Sequence, residues 1–311
     1  MTEPFVRTVL GDVLPEVLGR VNYHEHLFQV SPLLPGEELA DEELSRAEAV
    51  DLVAAGTGAM VEATPTGLGR RPDAVARISR STGLHVVHVT GAHRAAHYGA
   101  DDSLLTLDED RLAERFIADI ADGFAEAPGV RAGVVKAGIE YWNIPAFSRR
   151  VLTAAATAAR ITGAPLMVHL EHGSAAHELL DLLEAEGIAP SRVALAHVDR
   201  NPDPLVHADL AARGARLGYD GWARHRDWPD SMLLDCLTRV VGTEAGRRAV
   251  ILGGDVARAS RYLSYGGIPG LGYVARRIVP QLEERLGVEV ASGILHDNPA
   301  SWLTFAAPSP T

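Results

Sequence analysis

The sequence predicts an α/β protein of the (β/α)8 TIM-barrel class, and three observations carry the prediction. Short apolar runs of β-type composition alternate with longer Ala/Leu/Arg-rich runs of helical period along the 311 residues. The apolar runs are near-continuous rather than polar at every second position, as in parallel strands covered by helices. No Gly-rich phosphate turn follows the first strand, which argues against the rival, a doubly wound open sheet.

The first strand is the weakest, Val17–Tyr23, and it leads into His24. The other seven are Gly58–Ala63, Leu84–Val89, Ala132–Val135, Pro165–Leu170, Arg192–His197, Ala215–Tyr219 and Ala249–Gly253. Between and after them, helical patterns occupy about Pro72–Ser81, Asp108–Glu126, Ala146–Thr162, Ser174–Glu186, Pro204–Arg213, Asp230–Val241 and Tyr273–Leu286. The series is uninterrupted, so one barrel domain over residues 1–311 is expected, with a short N-terminal extension to about residue 16 and a Pro/Ser-rich tail from about residue 306. The acidic segment Glu37–Glu48 is the other composition shift.

Composition narrows the function. Acidic residues outnumber basic ones 41 to 29, a formal net charge of −12. That balance opposes nucleic acid or an anionic membrane as partner, because both reward a basic face. No long charge-free apolar stretch could span a bilayer, and the N-terminus lacks the basic-then-apolar design of a secretion signal. Cys236 is the only cysteine, so no intrachain disulfide can form and a cytoplasmic location is expected. It sits in a helical pattern and reads as a packing residue. No G-x-S-x-G elbow is present, which removes the common serine-hydrolase route. All but one of the 29 basic residues are arginine; Lys136 is the single lysine.

In a barrel, chemistry sits where the strands end. Strand one runs into His24-Glu25-His26, strand four carries Lys136, strands five and six end at His169 and His197, and strand eight leads to Asp255. His24 and His26 are two apart, so on an extended chain they point to one side and can begin a divalent-metal site. Singly, each histidine reads as a hydrogen-bonded core residue; jointly, ligand types at five strand ends are hard to obtain from packing, because buried charge is costly unless paired or metal-bound. Lys136 has no acid within three residues. A structural salt bridge to Asp255 or Glu62 is one reading of it. Addition of carbon dioxide to its neutral amine is the other, giving a carbamate with two oxygens.

These residues resemble the phosphotriesterase family of the amidohydrolase superfamily. The resemblance lies in NYHEHL (His24, His26), RAGVVKAG (Lys136), PLMVHLEHG (His169), VALAHVDRN (His197) and VILGGDVAR (Asp255), and it extends to LHDNPASWL near the C-terminus. It implies a binuclear centre: His24, His26 and Asp255 on the more buried ion, His169 and His197 on the more exposed one, and N-carboxylated Lys136 bridging both. Carbon dioxide or bicarbonate would supply the carboxyl group. Zinc suits such a nitrogen-and-oxygen set, and manganese or cobalt would also fit. The implied reaction is hydrolysis by a hydroxide held between the ions, with Asp255 as general base and then acid.

The family includes phosphotriesterases, lactonases and other hydrolases, so the loops must carry the choice. His93 follows strand three, where lactonase-like members often place a tyrosine. Gly221 follows Asp220, where many members carry His or Arg. Arg200, Arg224, Arg226, Arg258 and Arg261 all fall in loops at the expected mouth, although the chain is acidic. Guanidinium groups grip phosphate or carboxylate through paired hydrogen bonds. A single loop arginine reads more readily as solvated; five together favour an anionic substrate. The expectation is therefore a metal-dependent lactonase for a small sugar-derived lactone bearing carboxylate or phosphate. Phosphotriesterase or carboxylesterase activity on another ester is the alternative, and an inert metal-binding barrel ranks below both. The resemblance also implies a homodimer as a common assembly.

Overall fold

The computed structural model describes residues 3–307, so Met1, Thr2 and residues 308–311 of the extension and tail lie outside the described residues. Eight parallel strands follow one another in chain order: β1 (Val21–Glu25), β2 (Ala59–Glu62), β3 (His85–Gly91), β4 (Val134–Ile139), β5 (Leu166–Leu170), β6 (Val193–Ala196), β7 (Arg216–Tyr219) and β8 (Val250–Leu252). Each pairs with its sequence neighbour. The ring is completed between β8 and β1 by the Gly254 and Asp255 N–H groups, which donate to the His24 carbonyl at 3.2 and 2.9 Å. Gly253 permits that approach, since a Cβ there would sit 2.9 Å from the His24 Cβ.

The helices that cover the sheet are α1 (Glu42–Ala54), α2 (Pro72–Thr82), α3 (Glu109–Ala121), α4 (Ala146–Thr162), α5 (Ala176–Ala185), α6 (Pro204–Ala212) and α7 (Asp230–Val240). Their ends are written in the sequence. Asp41 and Asp108 cap α1 and α3 by accepting from Leu44 N–H and Arg111 N–H at 3.0 and 2.9 Å. Pro72 and Pro204 open α2 and α6, and Gly83 and Gly163 close α2 and α4 in the left-handed region.

Five segments differ from the sequence expectation. The first strand starts later than Val17, because Pro15 opens a 3-10 turn over Pro15–Leu18 and Gly19 ends it at φ 63°. The expected extension is itself ordered, with Val6–Thr8 pairing antiparallel to Gly11–Val13. Helix α3 stops at Ala121 rather than Glu126, since Gly123, at φ 113°, begins a two-residue ladder with Ala127–Pro128. Strand β4 continues past Val135 and so places Lys136 inside the strand. The acidic segment, expected only as a composition shift, contributes the start of α1, a helix not expected between the first two strands; in it, buried Glu48 accepts from Ser264 and Leu271 N–H and tethers the loop after β8.

Val21, Tyr23, Val61, Val89, Val134, Met167, Ala196 and Ile251 share one buried cluster inside the barrel, stoppered at one end by Trp302 and Leu303. The outer faces of the strands pack on the helices, as Val168 and Leu170 do beside Val151, Leu152 and Ala155 of α4. Alternation then decides the site. Lys136 is two beyond Val134 and His169 two beyond Met167, so both point inward at the top of the packed interior. Among the described residues, no helix is long and apolar enough to cross a membrane.

Candidate metal centre

His24, His26, Lys136, His169, His197 and Asp255, all buried, line a single cavity of about 270 Å³ at the C-terminal ends of the strands. Adjacent imidazoles stand close: ring centres are 5.4 Å apart for His24–His26, 5.0 Å for His24–His197 and 4.5 Å for His169–His197. His24 Nε2 and His26 Nε2 lie 3.5 and 3.6 Å from Asp255 Oδ1, close enough for the three to hold one ion. Two of the positions depend on backbone in the left-handed region: His197 has φ 67° and Asp255 φ 44°. Such conformations in non-glycine residues cost about 1–3 kcal/mol and cluster at functional sites.

Hydrogen bonds fix which nitrogen each histidine offers. Thr64 Oγ1 donates to the Phe28 carbonyl at 2.6 Å, so toward His26 Nδ1, at 2.7 Å, it can only accept. His26 therefore carries its proton on Nδ1 and leaves Nε2 free. Asp220 does the same for two rings, accepting from His24 Nδ1 at 2.9 Å and His197 Nδ1 at 2.6 Å. Its carboxyl stays well below the usual range: burial works to raise it, but His197 and His24 outweigh that effect. Ligand atoms of His24, His197 and Asp220 also lie within 4.8 Å of one another, close enough to hold an ion. The hydrogen-bonding geometry instead makes Asp220 an orienter standing behind the rings. Tyr23 reaches across the barrel to donate to the same carboxylate, and Gly218 gives it room, since a Cβ there would collide with the phenol oxygen.

His169 supplies a direct sign that a ligand belongs here. Its Nε2 donates to Glu171 Oε2 at 2.9 Å, while its Nδ1 is buried with no partner. An unpaired buried imidazole nitrogen is costly in a folded protein and natural in a metal ligand. Lys136, 1% exposed, gives a second sign. Its Nζ donates to the Ala63 carbonyl at 2.9 Å and lies 3.4 Å from His24 Nε2, with no carboxylate among its hydrogen-bond partners. Burial lowers its pKa to about 8, with Asp255, Asp220 and Glu62 resisting. Burial thus enlarges the neutral fraction of the amine, the form that reacts with carbon dioxide. The residues fit a two-ion centre with a carboxylated lysine.

Glu25, between the two strand-one histidines, points the other way. It accepts from Val256 N–H at 3.0 Å and Asn22 Nδ2 at 3.1 Å, tying β1 to the segment that carries Asp255. Burial pushes its pKa up to about 8.

The substrate-side residues divide. His93, Arg200, Arg224 and Arg258 line the cavity. Arg200 and Arg224 both reach Asp255 Oδ2, at 2.8 and 2.6 Å. Arg226 and Arg261, expected at the mouth, do not line it. Arg226 is exposed beyond the tight turn after β7, and Arg261 is turned behind the wall, where it donates to the Trp222 carbonyl at 3.3 Å. Three residues went unrecognised in the sequence: Asp220, Glu171 and Arg94. Arg94 lines the cavity and pairs with Glu140 and Glu171 at 2.7 and 2.8 Å. The available signal for Asp220 was its place at the end of strand seven, the same edge that carries the other polar residues. Cys236 packs in α7 beside Tyr219 and His207, in line with a packing role.

Burial keeps these histidines neutral, and this sets an acid limit on the metal-free fold. Burial lowers the pKa to about 3 for His26, His88 and His97, and to about 4 for His197 and His207. Unfolded histidine titrates near ~6.5, so below that pH the unfolded chain binds protons that the folded chain refuses. Stability of the metal-free protein is expected to fall between pH ~6.5 and ~4, by about 1.4 kcal/mol per pH unit for each such histidine. Denaturant titrations across that range check it; a flat profile would contradict it.

Comparison with known proteins places the chain among hydrolases of this fold. A phospho-furanose lactonase of Mycoplasmopsis agalactiae is 30% identical to this chain, over 98% of this chain and 93% of the relative. The crystal structure of a lactonase from Listeria monocytogenes superposes with a TM-score of 0.91 at 30% identity, covering 97% of this chain and 100% of that one. The phosphotriesterase homology protein of Escherichia coli, crystallised with phosphate in its active site, gives 0.86 at 25% identity, over 92% and 99% of the two chains. The family model for the phosphotriesterase family matches residues 4–303, from the first hairpin to the last helix, and the chain belongs to that family.

Proposed function

We propose that this chain is a two-metal lactonase that opens a sugar-derived lactone carrying a phosphate or carboxylate. One observation carries the reading: four guanidinium groups, Arg94, Arg200, Arg224 and Arg258, line the same small cavity as the six ligand-type residues. In a chain of net charge −12, four guanidinium groups against the two carboxylates of Glu171 and Asp255 leave an excess of positive charge in the cavity, which suits an anion. The lactonase names of two relatives, and the phosphate in the active site of a third protein, point the same way.

His24, His26 and Asp255 would hold one divalent ion, His169 and His197 the other, and carboxylated Lys136 would join them. Neutral Lys136 Nζ forms an N–C bond to carbon dioxide and releases a proton. Zinc best suits this donor set, with manganese and cobalt as alternatives. Two such ions supply Lewis acidity and a water of lowered pKa. Asp255 is ionised, since His24, Arg224 and His197 outweigh the effect of burial. Its carboxylate takes the proton of the attacking water and returns it to the ring oxygen as the acyl C–O bond breaks, which leaves the hydroxy acid. His93 accepts the Arg94 N–H on Nδ1 at 2.7 Å, so its neutral ring carries a proton on Nε2 for a substrate oxygen.

Arg258→Met separates anion recognition from the chemistry, because Arg258 lies at the exposed rim and does not touch Asp255. With this substitution, kcat/KM for a phosphorylated furanose lactone is expected to fall about tenfold, which corresponds to one charge-assisted contact. The neutral lactone of the same ring should change less than about threefold. An equal loss on both substrates, or turnover of neutral lactones alone, would overturn the anionic reading.

A further inference from the structure

Beside the metal cavity lies a wider cleft, about 720 Å³ against about 270 Å³. The two share a wall, since Arg94, Glu171 and Arg200 line both. The outer side of the cleft is a two-residue turn after β4, in which Glu140 and Asn143 bond reciprocally through their backbones at 3.0 and 3.2 Å. Tight turns that need positive φ ordinarily carry glycine or asparagine there. Here the central residues are Tyr141 and Trp142, with Trp142 at φ 48°. Their side chains stand in water, 60% and 63% exposed. A bulky residue in that backbone region is an outlier, and two neighbouring exposed aromatic rings are unfavourable for a free surface.

A third ring joins them. His172, exposed and also in the left-handed region at φ 52°, meets Tyr141 edge-on at 6.0 Å. The turn is nonetheless held firmly. Trp142 N–H donates to Ser174 Oγ at 3.0 Å, Ser174 Oγ donates to the Glu171 carbonyl at 2.7 Å, and Arg94 grips Glu140. Strained backbone, exposed aromatic rings and a rigid mount are the features of a preformed ligand wall rather than of a loop serving the fold.

We propose that this cleft is a sugar-binding subsite that takes a second, non-reacting sugar ring while the lactone ring occupies the metal cavity. The aromatic faces suit the C–H face of a sugar ring, and Ser174, Asn201 and Glu140 supply hydrogen-bonding groups for its hydroxyls. The continuous wall at Arg94, Glu171 and Arg200 makes the cleft an extension of the reaction site. The assignment of the inner ring rests on the lactonase reading; the outer subsite is tested by binding alone.

The test is calorimetric binding to the metal-loaded full-length protein, comparing gluconate with three aldobionates, lactobionate, maltobionate and cellobionate. At least one aldobionate is expected to bind about tenfold more tightly than gluconate, the gain from one well-stacked ring. Trp142→Ala should abolish that advantage and leave gluconate affinity unchanged. Trp142→Gly should abolish it too while Tm holds or rises, since glycine relieves the positive φ. Equal affinity for gluconate and all three aldobionates would overturn the subsite. So would an advantage that survives Trp142→Ala, a lowered Tm in Trp142→Gly, or dissociation of a dimer by Trp142→Ala in light scattering, which would make the turn an interface between copies. Selective aldobionate binding without turnover of any lactone would defeat the lactonase reading and leave the subsite standing; turnover without selectivity would do the reverse.

Discussion

Lys136→Ala and Lys136→Arg are each expected to lower lactone turnover by on the order of 10³-fold or more, about 4 kcal/mol of transition-state stabilisation. Both should also lower the metal content of the purified protein. The alanine variant removes the amine that captures carbon dioxide. The arginine variant keeps a cation of similar reach, but a guanidinium stays protonated and offers no free amine. An ordinary structural lysine would respond differently, with arginine restoring much of what alanine loses. Lys136 has no ion-pair partner for arginine to inherit, since its hydrogen-bond partners are the Ala63 carbonyl and the His24 ring. Steady-state kinetics with elemental analysis on the same preparations checks this. Activity and metal content near wild type in either variant would refute a carboxylated lysine.

Asp220→Ala is expected to destabilise the protein by roughly 3–5 kcal/mol at neutral pH, the range for removing one partner from a buried charged network. Tyr23, His24 and His197 all donate to this one carboxylate, and all are buried. Asp220→Asn keeps the shape but presents an amide to two imidazole N–H groups. It should weaken metal binding by about 10–100-fold, as is typical of groups that orient metal-bound histidines. The pH dependence has a definite sign. Asp220 is held below its unfolded value of about 3.9, so its contribution is present above that pH and fades as the pH falls toward its lower folded value. The wild-type advantage over Asp220→Asn should therefore shrink only below pH ~4. Chemical denaturation and metal titration measure the two effects; wild-type metal affinity in Asp220→Asn would show that Asp220 does not orient the ligands.

The barrel was legible because strand period and helix period alternate from the second strand to Leu286; α1, between the first two strands, was not, because its acidic start masks the helical pattern. The ligand-type residues were legible because a barrel gathers strand ends at one edge, whatever their separation in sequence. What stayed hidden depends on contact rather than order. Asp220 has no spacing relation to His24 or His197, and only the closed ring brings the three together. The same holds for the Arg94–Glu171–His169 chain, which joins the loop after β3 to the end of β5. Arg226 and Arg261 show the converse: both lie in loops near the mouth, yet Arg226 is exposed and Arg261 turns to the Trp222 carbonyl, so neither lines the cavity. Loop membership alone does not say which way a side chain is carried.

The most direct test of the two-ion centre is a titration of metal-free protein with zinc, with and without bicarbonate, on the wild type and on Lys136→Ala. The expected result is two equivalents bound per chain with bicarbonate, and tight binding of fewer than two without it or in the variant. Stoichiometry and affinity that ignore both bicarbonate and the loss of Lys136 would contradict a centre bridged by carboxylated Lys136.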